Sequence, residues 1–365
     1  MSRLRVVVLF GGRSVEREVS RVSARTIVGA LDPARYDVVP LAVGPEGRFL
    51  SAAGSAQLLA SGPVPDKYRL AEKNASESAA LIPAEIGPGR ADVVFPIIHG
   101  TSGEDGVLQG FLETLGIPYV GAGVAGSAVG MDKAILKALF RDAGIPTPRC
   151  LAVSTSLFPP ESAGLRAKLE AQGLHLPLFV KPSAGGSSVG VTKVKAWETL
   201  EPAVALALRY DERALIEEGI DARELECAVL GDLEPRASIV GEVVPGREFY
   251  DYEDKYVEDG ARLLIPAPIE EETSARVRAL AVETFRVCGV SGMARVDFFL
   301  ERGSGRLLVN ELNTLPGFTA ISMYPKLWEA SGLPLPKLLD ELIRLALERH
   351  ERRARLSHEP PRSLG

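Results

Sequence analysis

Two carboxylates and one amide near the C-terminal end have the types and spacing that could hold a metal ion. Asp297, Glu311 and Asn313 lie on two apolar runs separated by Arg-Gly-Ser-Gly, which predicts a tight hairpin. Side chains two positions apart on a strand share a face, so the hairpin brings the three within cross-strand reach. Such hard oxygen ligands suit Mg²⁺, above all where phosphates complete the octahedron, and predict a magnesium site. The alternative is that Arg295 merely neutralises Asp297 and the other two face solvent.

A loop of small residues, VKPSAGGSSVG at 180–190, carries one lysine at its head. In a Walker loop the lysine follows the glycines, whereas Lys181 precedes them, so this is not a P-loop. Backbone amides from Gly185 to Val189 can wrap a phosphate chain while Lys181 touches it as a point charge. Lys133, at the start of a predicted helix, is a second candidate for phosphate contact. A flexible lid or simple linker explains the loop equally well, and an exposed helix lysine explains Lys133.

Three further loop features are candidates for binding small charged groups. Glu16 in GGRSVEREVS follows a strand end, where it can meet a ligand ammonium; a first-turn helix glutamate is the alternative. His99 in HGTSGEDG can face a carboxylate, although a loop histidine alone supports no assignment. Pro316-Gly317 predicts a tight turn whose N–H groups can hold a carboxylate or an oxyanion.

The elements that must position these residues alternate between buried strands and amphipathic helices, which predicts an α/β (mixed α+β) fold. Residues 51–90 support no assignment, and the aperiodic tail from His350 predicts disorder over 351–365. The predicted strands are at 5–10, 38–43, 91–100, near Leu151 and Phe179, at 214–218, 225–230 and 237–243, and in the hairpin; the predicted helices are at 17–31, 106–116, 130–143 and 271–288.

Composition limits the class of protein. The chain has 365 residues, of which 46% are hydrophobic and 25% charged, enough for two or three domains. Its net charge of −6 argues against nucleic-acid or membrane-surface partners. Its three cysteines are too widely spaced for a disulfide framework or a zinc site. The first apolar run is too short for a signal peptide, and no stretch is long enough for a membrane span. We therefore expect a cytoplasmic protein.

Eight motifs in order closely resemble the D-alanine–D-alanine ligases, ATP-grasp enzymes of bacterial peptidoglycan synthesis. They are GGRSVEREVS, HGTSGEDG, MDK, VKPSAGGSSVG, LIEE, EFYDYEDKY, ARVDFF and NELNTLPGFT. The resemblance covers residues 5–345 and implies three α/β domains, with ATP between the second and third. The implied units are 1–122 for the first substrate, 123–217 with the phosphate lid, and 218–350 with the metal site.

The resemblance also implies a reaction. The first D-alanine takes the γ-phosphoryl group of ATP, and the amine of the second D-alanine attacks the acyl phosphate. Two Mg²⁺ ions, or Mn²⁺ in their place, assist, and the family implies a homodimer. Catalysis is then mainly positioning and charge stabilisation.

The resemblance implies a role for each matching residue. Contacts to ATP are assigned to Lys133, Lys181, Glu217, Glu218, Gly219, Ile220 and Glu224, and the metal ions to Asp297, Glu311 and Asn313. The first substrate's ammonium goes to Glu16, linked to Ser187 and Tyr256, and its carboxylate to His99; the oxyanion hole is Arg295 with Gly317, and the second carboxylate goes to Ser322 with Lys255.

Two kinds of alternative remain: a ligase of the same fold with another second substrate, and a protein with a different function. A D-alanyl-D-lactate or D-alanyl-D-serine ligase would share the fold; Tyr256 favours an amine as acceptor, because hydroxy-acid-using relatives tend to differ there. A non-catalytic nucleotide-binding regulator would have no need of the complete metal-ligand set. A nicotinamide dehydrogenase is disfavoured because no glycine fingerprint follows the first strand. Ala184-Gly185 departs from the larger or charged pair of many relatives, so the mobility of the lid can differ.

Overall fold

The computed structural model describes residues 3–61, 82–87, 89–156, 164–246 and 262–357. Within these residues the chain forms ten α-helices and twelve strands, which build three separate sheets. Mixed helix and sheet was the sequence-based prediction, and it is confirmed. Tyr256 and Lys255, to which the sequence assigns roles, lie outside the described residues.

The first sheet is parallel, with strand order β2-β1-β3. The apolar runs of β1 and β3 are buried on both faces, as expected of parallel strands covered by helices, whereas β2 is partly exposed. The carboxyl ends of β1 and β3 carry the loops with Glu16 and His99, so both loops reach one edge of the sheet. The elements of this region are β1 (Leu4–Gly11), α1 (Arg17–Ala30), β2 (Tyr36–Val43), α2 (Ala52–Ala60), β3 (Val93–Pro96) and α3 (Val107–Thr114).

Two helices, α4 (Val124–Met131) and α5 (Lys133–Asp142), replace the single helix predicted over 130–143. The break is at Asp132, whose extended backbone caps α5 while its carboxylate accepts from the amides of Ala134 and Ile135, both at 3.1 Å. An aspartate in this N-cap position satisfies amides that would otherwise lack partners, and thereby fixes where α5 begins.

The second sheet is antiparallel, has order β4-β7-β5-β6, and carries Lys181 and the small-residue loop. It has a hydrophobic core of its own, which includes Leu169, Val180, Val204 and Ile216. Its elements are β4 (Cys150–Ser154), α6 (Leu165–Ala171), β5 (Leu178–Pro182), β6 (Thr192–Val194), α7 (Leu200–Ala207) and β7 (Arg213–Glu218).

The third sheet is antiparallel, has order β10-β9-β8-β11-β12, and contains the predicted hairpin as its last two strands. A register shift between Asp297 and Phe298 marks a bulge in the hairpin. The strands are β8 (Ala222–Gly231), β9 (Arg236–Val244), β10 (Arg262–Leu264), β11 (Gly292–Glu301) and β12 (Leu307–Asn313), and the helices are α8 (Glu271–Val287), α9 (Met323–Ala330) and α10 (Leu335–Ala354).

The two C-terminal helices return to the first sheet and share its core. Phe318 packs edge-on against Phe95 with ring centroids 6.0 Å apart, and Tyr324 and Leu342 belong to the same buried cluster. The turn after the hairpin is therefore packed against the first sheet, although the two are far apart in the sequence.

The predicted disordered tail at 351–365 is wrong for its first four residues, because α10 continues to Ala354. Arg353 forms an ion pair with Glu113 at 2.9 Å, and Arg352 pairs with Asp232, so side chains far apart in sequence hold the last helical turn. Residues 358–365 lie outside the described residues. Within the described ranges, none of the helices is both long and apolar enough to cross a membrane.

Candidate active site

A cavity of about 890 Å³ lies where the three sheets meet. Of the eighteen residues proposed from the sequence, the sixteen that the structure describes all line it. They are Glu16, His99, Lys133, Lys181, Ser187, Glu217, Glu218, Gly219, Ile220, Glu224, Arg295, Asp297, Glu311, Asn313, Gly317 and Ser322.

The small-residue loop is anchored to the start of α5 at its base. Ser183 donates to the Asp132 carboxylate at 2.7 Å, and the Lys133 amide donates to the Ser183 carbonyl at 2.8 Å. The Lys133 ammonium donates to the carbonyl of Gly185 at 2.7 Å and lies 3.9 Å from the Glu311 carboxylate. Lys133 therefore faces the cavity, rather than solvent as an ordinary helix lysine would.

Lys181 is more buried than its place at a loop edge suggests, with 12% of its side chain exposed. Its ammonium pairs with the Glu217 carboxylate, whose other oxygen lies 2.9 Å from the Lys137 ammonium. Burial disfavours the Glu217 carboxylate, but the two ammonium groups outweigh it and lower the pKa of Glu217. One carboxylate thus serves two lysines at the back of the cavity.

The hairpin holds its carboxylates in direct cross-strand register. Asp297 lies opposite Glu311 and Arg295 opposite Asn313. Arg295 donates two 2.7 Å hydrogen bonds to Asp297, and its Nε lies 3.1 Å from Glu226 on β8. The pairing of Arg295 with Asp297, which was the alternative to a metal site, is therefore present. Because Glu226 also binds Arg295, that guanidinium does not depend on Asp297 alone.

The donor set of the hairpin fits Mg²⁺. Within the described residues, no group of three or more His, Cys, Asp or Glu side chains could hold a metal ion. The hairpin instead offers two carboxylates and the amide of Asn313, whose Oδ1 accepts from the Leu315 amide at 3.0 Å. Mg²⁺ commonly binds through one or two carboxylates with substrate phosphates and water completing its octahedron, and Asp297 and Glu311 would supply that share.

Glu16 connects the first sheet to the small-residue loop. It is the N-cap residue of α1, but its side chain makes no capping hydrogen bond and instead accepts one from the Ser187 hydroxyl. Ser187 and Ser188 have φ of 51° and 58°, values that non-glycine residues seldom adopt and that cluster at ligand-binding loops. The helix-dipole alternative explains where Glu16 lies, but not its contact with Ser187.

His99 is buried beside a carboxylate that the sequence-based interpretation missed. Its Nδ1 is 3.0 Å from the Leu315 carbonyl and 3.6 Å from Glu104, while Glu104 accepts from the Gly100 amide at 2.9 Å. Burial alone disfavours the imidazolium, but Glu104 outweighs it and raises the pKa of His99. The histidine is therefore fixed in orientation and favoured as a cation.

The turn after the hairpin packs its glycine against a serine. A Cβ added to Gly317 would lie 2.7 Å from the Ser322 hydroxyl, so a larger residue there would displace that serine. Ser322 in turn accepts from the Thr319 amide at 3.0 Å. The two residues assigned by resemblance to the oxyanion hole and the second carboxylate are therefore in contact.

The segment assigned to the nucleotide base lies on β7 and just beyond it. Glu217 is turned towards the lysines, and Glu218 pairs with Arg149 at 2.9 Å. Both carboxylates are thus engaged by cations in this structure. Glu224, on β8, lines the same side of the cavity.

Three charged residues at the site were not predicted from the sequence: Lys137, Glu104, and Glu226, which lies opposite Asp297 on β8. Lys137 is four residues after Lys133 and fully buried, between the apolar positions Leu136 and Phe140. A lysine on the apolar face of a helix was the available signal. Glu104 is five residues after His99 in the same loop, but that spacing alone indicates no contact.

A G-x-G-x-x-G spacing occurs away from the first strand, at Gly121, Gly123 and Gly126 before and within α4. A Cβ at Gly126 would lie 3.0 Å from the Gly289 carbonyl, so this glycine permits close packing of the helix. The Arg349 guanidinium donates a hydrogen bond to the Gly121 carbonyl. Gly121 and Gly126 therefore allow close contacts with distant segments of the chain, and these contacts explain the glycine spacing without a bound dinucleotide.

Sequence comparison identifies the family. The family described as D-ala D-ala ligase N-terminus matches residues 5–122, and that described as D-ala D-ala ligase C-terminus matches residues 139–344. A D-alanine–D-alanine ligase of Thermoanaerobacter sp. (strain X514) is 46% identical over 97% of this chain and 99% of its own length. A D-alanine–D-alanine ligase A of Chromobacterium violaceum is 47% identical over 96% of each chain.

Solved structures agree with the sequence comparison. The D-alanine–D-alanine ligase from Coxiella burnetii matches with a TM-score of 0.83 and 39% identity, covering 97% of each chain. The VanG D-Ala:D-Ser ligase from Enterococcus faecalis matches with a TM-score of 0.80 and 33% identity, covering 94% of this chain and all of its own. The fold is that of the ATP-grasp enzymes. The chain belongs to the D-alanine–D-alanine ligase family.

Proposed function

We propose that this protein joins two D-alanine molecules to D-alanyl-D-alanine at the expense of ATP, for peptidoglycan precursor synthesis. The observation that carries the proposal is that every described residue of the sequence-derived set lines one and the same cavity, in a chain 46% identical to a D-alanine–D-alanine ligase. A non-catalytic regulator would have no need of Asp297, Glu311 and Asn313 together.

The first step needs a carboxylate aligned with the γ-phosphorus of ATP. Glu16, held by Ser187, would bind the ammonium of the first D-alanine, and His99 would face its carboxylate. Lys133 and Lys181 would contact the phosphates. A carboxylate oxygen attacks the γ-phosphorus and ADP leaves, which gives an acyl phosphate. The main contribution of the chain is to hold the reacting atoms in line.

The second step needs an oxyanion stabiliser. The amine of the second D-alanine loses a proton and attacks the acyl carbon, and phosphate leaves the tetrahedral intermediate. Arg295 would stabilise the oxyanion together with the Gly317 amide, while Ser322 and Lys255 would bind the second carboxylate. Ser322 already contacts the turn that contains Gly317, so the two functions lie side by side.

The remaining roles concern metal and nucleotide. Two Mg²⁺ ions, held by Asp297, Glu311 and Asn313, would supply charge neutralisation at the phosphates. Glu217 to Ile220 would line the adenine and Glu224 the ribose.

For the units 1–122, 123–217 and 218–350 we propose roles in first-substrate, nucleotide and metal binding. The family also supports a cytoplasmic homodimer, and light scattering after gel filtration would measure its mass.

The direct test is mass analysis of products after incubation with ATP, Mg²⁺ and D-alanine. We expect ADP, phosphate and D-alanyl-D-alanine in equal amounts, and no dipeptide from L-alanine. Phosphate release that D-alanine does not increase, or ADP without dipeptide, would overturn the proposal. Because the similarity extends to a D-Ala:D-Ser ligase, D-serine and D-lactate are added as competing acceptors. Preference for either would assign the chain to that activity instead.

A further inference from the structure

Lys137 is a fully buried cation close to the cavity, but it does not line it. It lies one helical turn after Lys133 on α5, and its ammonium is 2.9 Å from the Glu217 carboxylate. Glu217 is itself 3% exposed and holds Lys181 through its second oxygen. Lys137, Lys181 and the glutamate between them, Glu217, form one buried charge cluster, which we call the lysine trio although one member is a glutamate.

The charges of the lysine trio do not cancel. Two ammonium groups share one carboxylate, so the cluster has a net positive charge on the side where Lys181 reaches the cavity. A plain Lys181–Glu217 pair would be neutral and would present less positive potential to a polyanion. Burial lowers the pKa of Lys137, and the contact with the Glu217 carboxylate opposes that effect by favouring the ammonium form.

We propose that Lys137 is a positioning residue of the nucleotide site. Lys137 contacts one oxygen of the Glu217 carboxylate, so Lys181 can bind only the other oxygen, which fixes where Lys181 lies. Because Glu217 also compensates the charge of Lys137, it does not fully neutralise Lys181, which keeps positive charge for the phosphates of a nucleoside di- or triphosphate. This inference rests on the proposed function for the identity of the ligand. A lysine that only stabilised packing between α5 and β7 would affect folding, but not the preference of the site for phosphate groups.

The test measures equilibrium binding of Mg–ADP and of adenosine to the full chain by calorimetry, without turnover. The ratio of the two affinities isolates the phosphate contribution, because both ligands contain the base and ribose. In Lys137→Met we expect this ratio to fall about tenfold, about 1.4 kcal/mol, because Lys181 is then neutralised by Glu217. The exposed Lys168→Met on α6 is the matched control and should leave the ratio unchanged.

A second variant separates electrostatics from folding. Lys137→Met with Glu217→Gln leaves Lys181 as the single charge, so the affinity ratio should return to within about threefold of wild type. A mere structural role predicts no such recovery. An unchanged ratio in Lys137→Met, or a double variant no better than the single one, would overturn the inference. Thermal unfolding of each variant confirms that folded protein is being compared.

The outcome is independent of the assigned reaction. If no dipeptide forms, but the affinity ratio falls and recovers as described, the positioning role stands and the proposed function does not. If dipeptide forms with an unchanged ratio in Lys137→Met, the reverse holds.

Discussion

Two walls of the cavity have opposite charge compositions. On the lysine wall, Lys133, Lys181 and Glu217 line the cavity and Lys137 is buried next to Glu217, so three ammonium groups accompany one carboxylate. The carboxylate wall contains Glu226, Asp297 and Glu311 with one guanidinium, that of Arg295. The first wall therefore favours phosphates and the second favours cations. A metal-bound nucleotide has both kinds of group, which explains why one cavity needs both walls.

The walls also differ in how they hold their charges. The strands of the lysine wall belong to the second sheet and those of the carboxylate wall to the third, and both sheets are antiparallel. The carboxylates lie on the neighbouring strands β8, β11 and β12, so strand register alone sets the distances between them. The lysine wall combines a helix start with two strands, and the anchoring contacts of Asp132 and Ser183 are needed to bring them together. The charges of the carboxylate wall are thus set by local pairing, and those of the lysine wall by tertiary contacts.

The largest effect is expected on the carboxylate wall. Glu311→Gln keeps the shape but removes one anionic ligand, so kcat should fall about 100-fold or more. Steady-state phosphate release at several magnesium concentrations measures this, with Glu283→Gln on the exposed face of α8 as the control. Near-normal turnover at low magnesium would show that Glu311 is not a ligand.

On the lysine wall, Lys181→Met keeps most of the buried stem but removes the charge. We expect the KM for ATP to rise about 30-fold, because a cation facing the phosphates is lost. Kinetics with saturating D-alanine measure it, and denaturant unfolding checks the fold. The opposite pattern, clear destabilisation with unchanged ATP kinetics, would make Lys181 purely structural.

In the small-residue loop, Ser187→Ala removes the hydroxyl that donates to Glu16. The KM for D-alanine should rise about tenfold, since a hydrogen bond to a charged group is lost, while the KM for ATP changes little. Initial-rate kinetics with each substrate varied in turn separate the two, and Ser304→Ala in the hairpin loop is the control. An increase in the KM for ATP alone would place Ser187 at the nucleotide.

The smallest effect concerns His99, outside both walls. Burial lowers the pKa of His99, but Glu104, with Glu16 adding to the effect, outweighs it and raises that pKa, so Glu104→Gln should lower the pKa of His99. A pH titration by NMR is practical because the chain has four histidines, and His99→Asn identifies the signal. An unchanged pKa would show that Glu104 does not act on His99.

The same shift has a consequence for stability. A raised pKa in the folded state stabilises the protein below the unfolded histidine pKa, and this contribution is lost as pH rises through the folded value. Glu104→Gln should therefore reduce the free energy of unfolding more in mild acid than in mild alkali. Urea unfolding at several pH values measures the difference.

The sequence by itself determined the hairpin part of the carboxylate wall and most of the strands, whereas Glu226 on β8 was not predicted. Asp297, Glu311 and Asn313 could be placed together because the alternation of side chains on a short hairpin leaves little freedom. The ordered motifs identified the family because their order and spacing can be read from the sequence without knowledge of the fold. Helices α2, α6, α7, α9 and α10 were not predicted. The small residues of α2 have weak periodicity, and the break at Asp132 was not recognised as a cap.

Only the tertiary structure decided the lysine trio, the contact of His99 with Glu104, and the last turns of α10. Lys137 and Glu217 are eighty residues apart, and their pairing depends on how α5 packs against β7. The end of α10 depends likewise on Glu113 and Asp232, which nothing local to residues 350–354 indicates. The physical reason is common to all three: a buried or terminal charge is stabilised by whatever partner the packing brings near it, and sequence spacing does not contain that information.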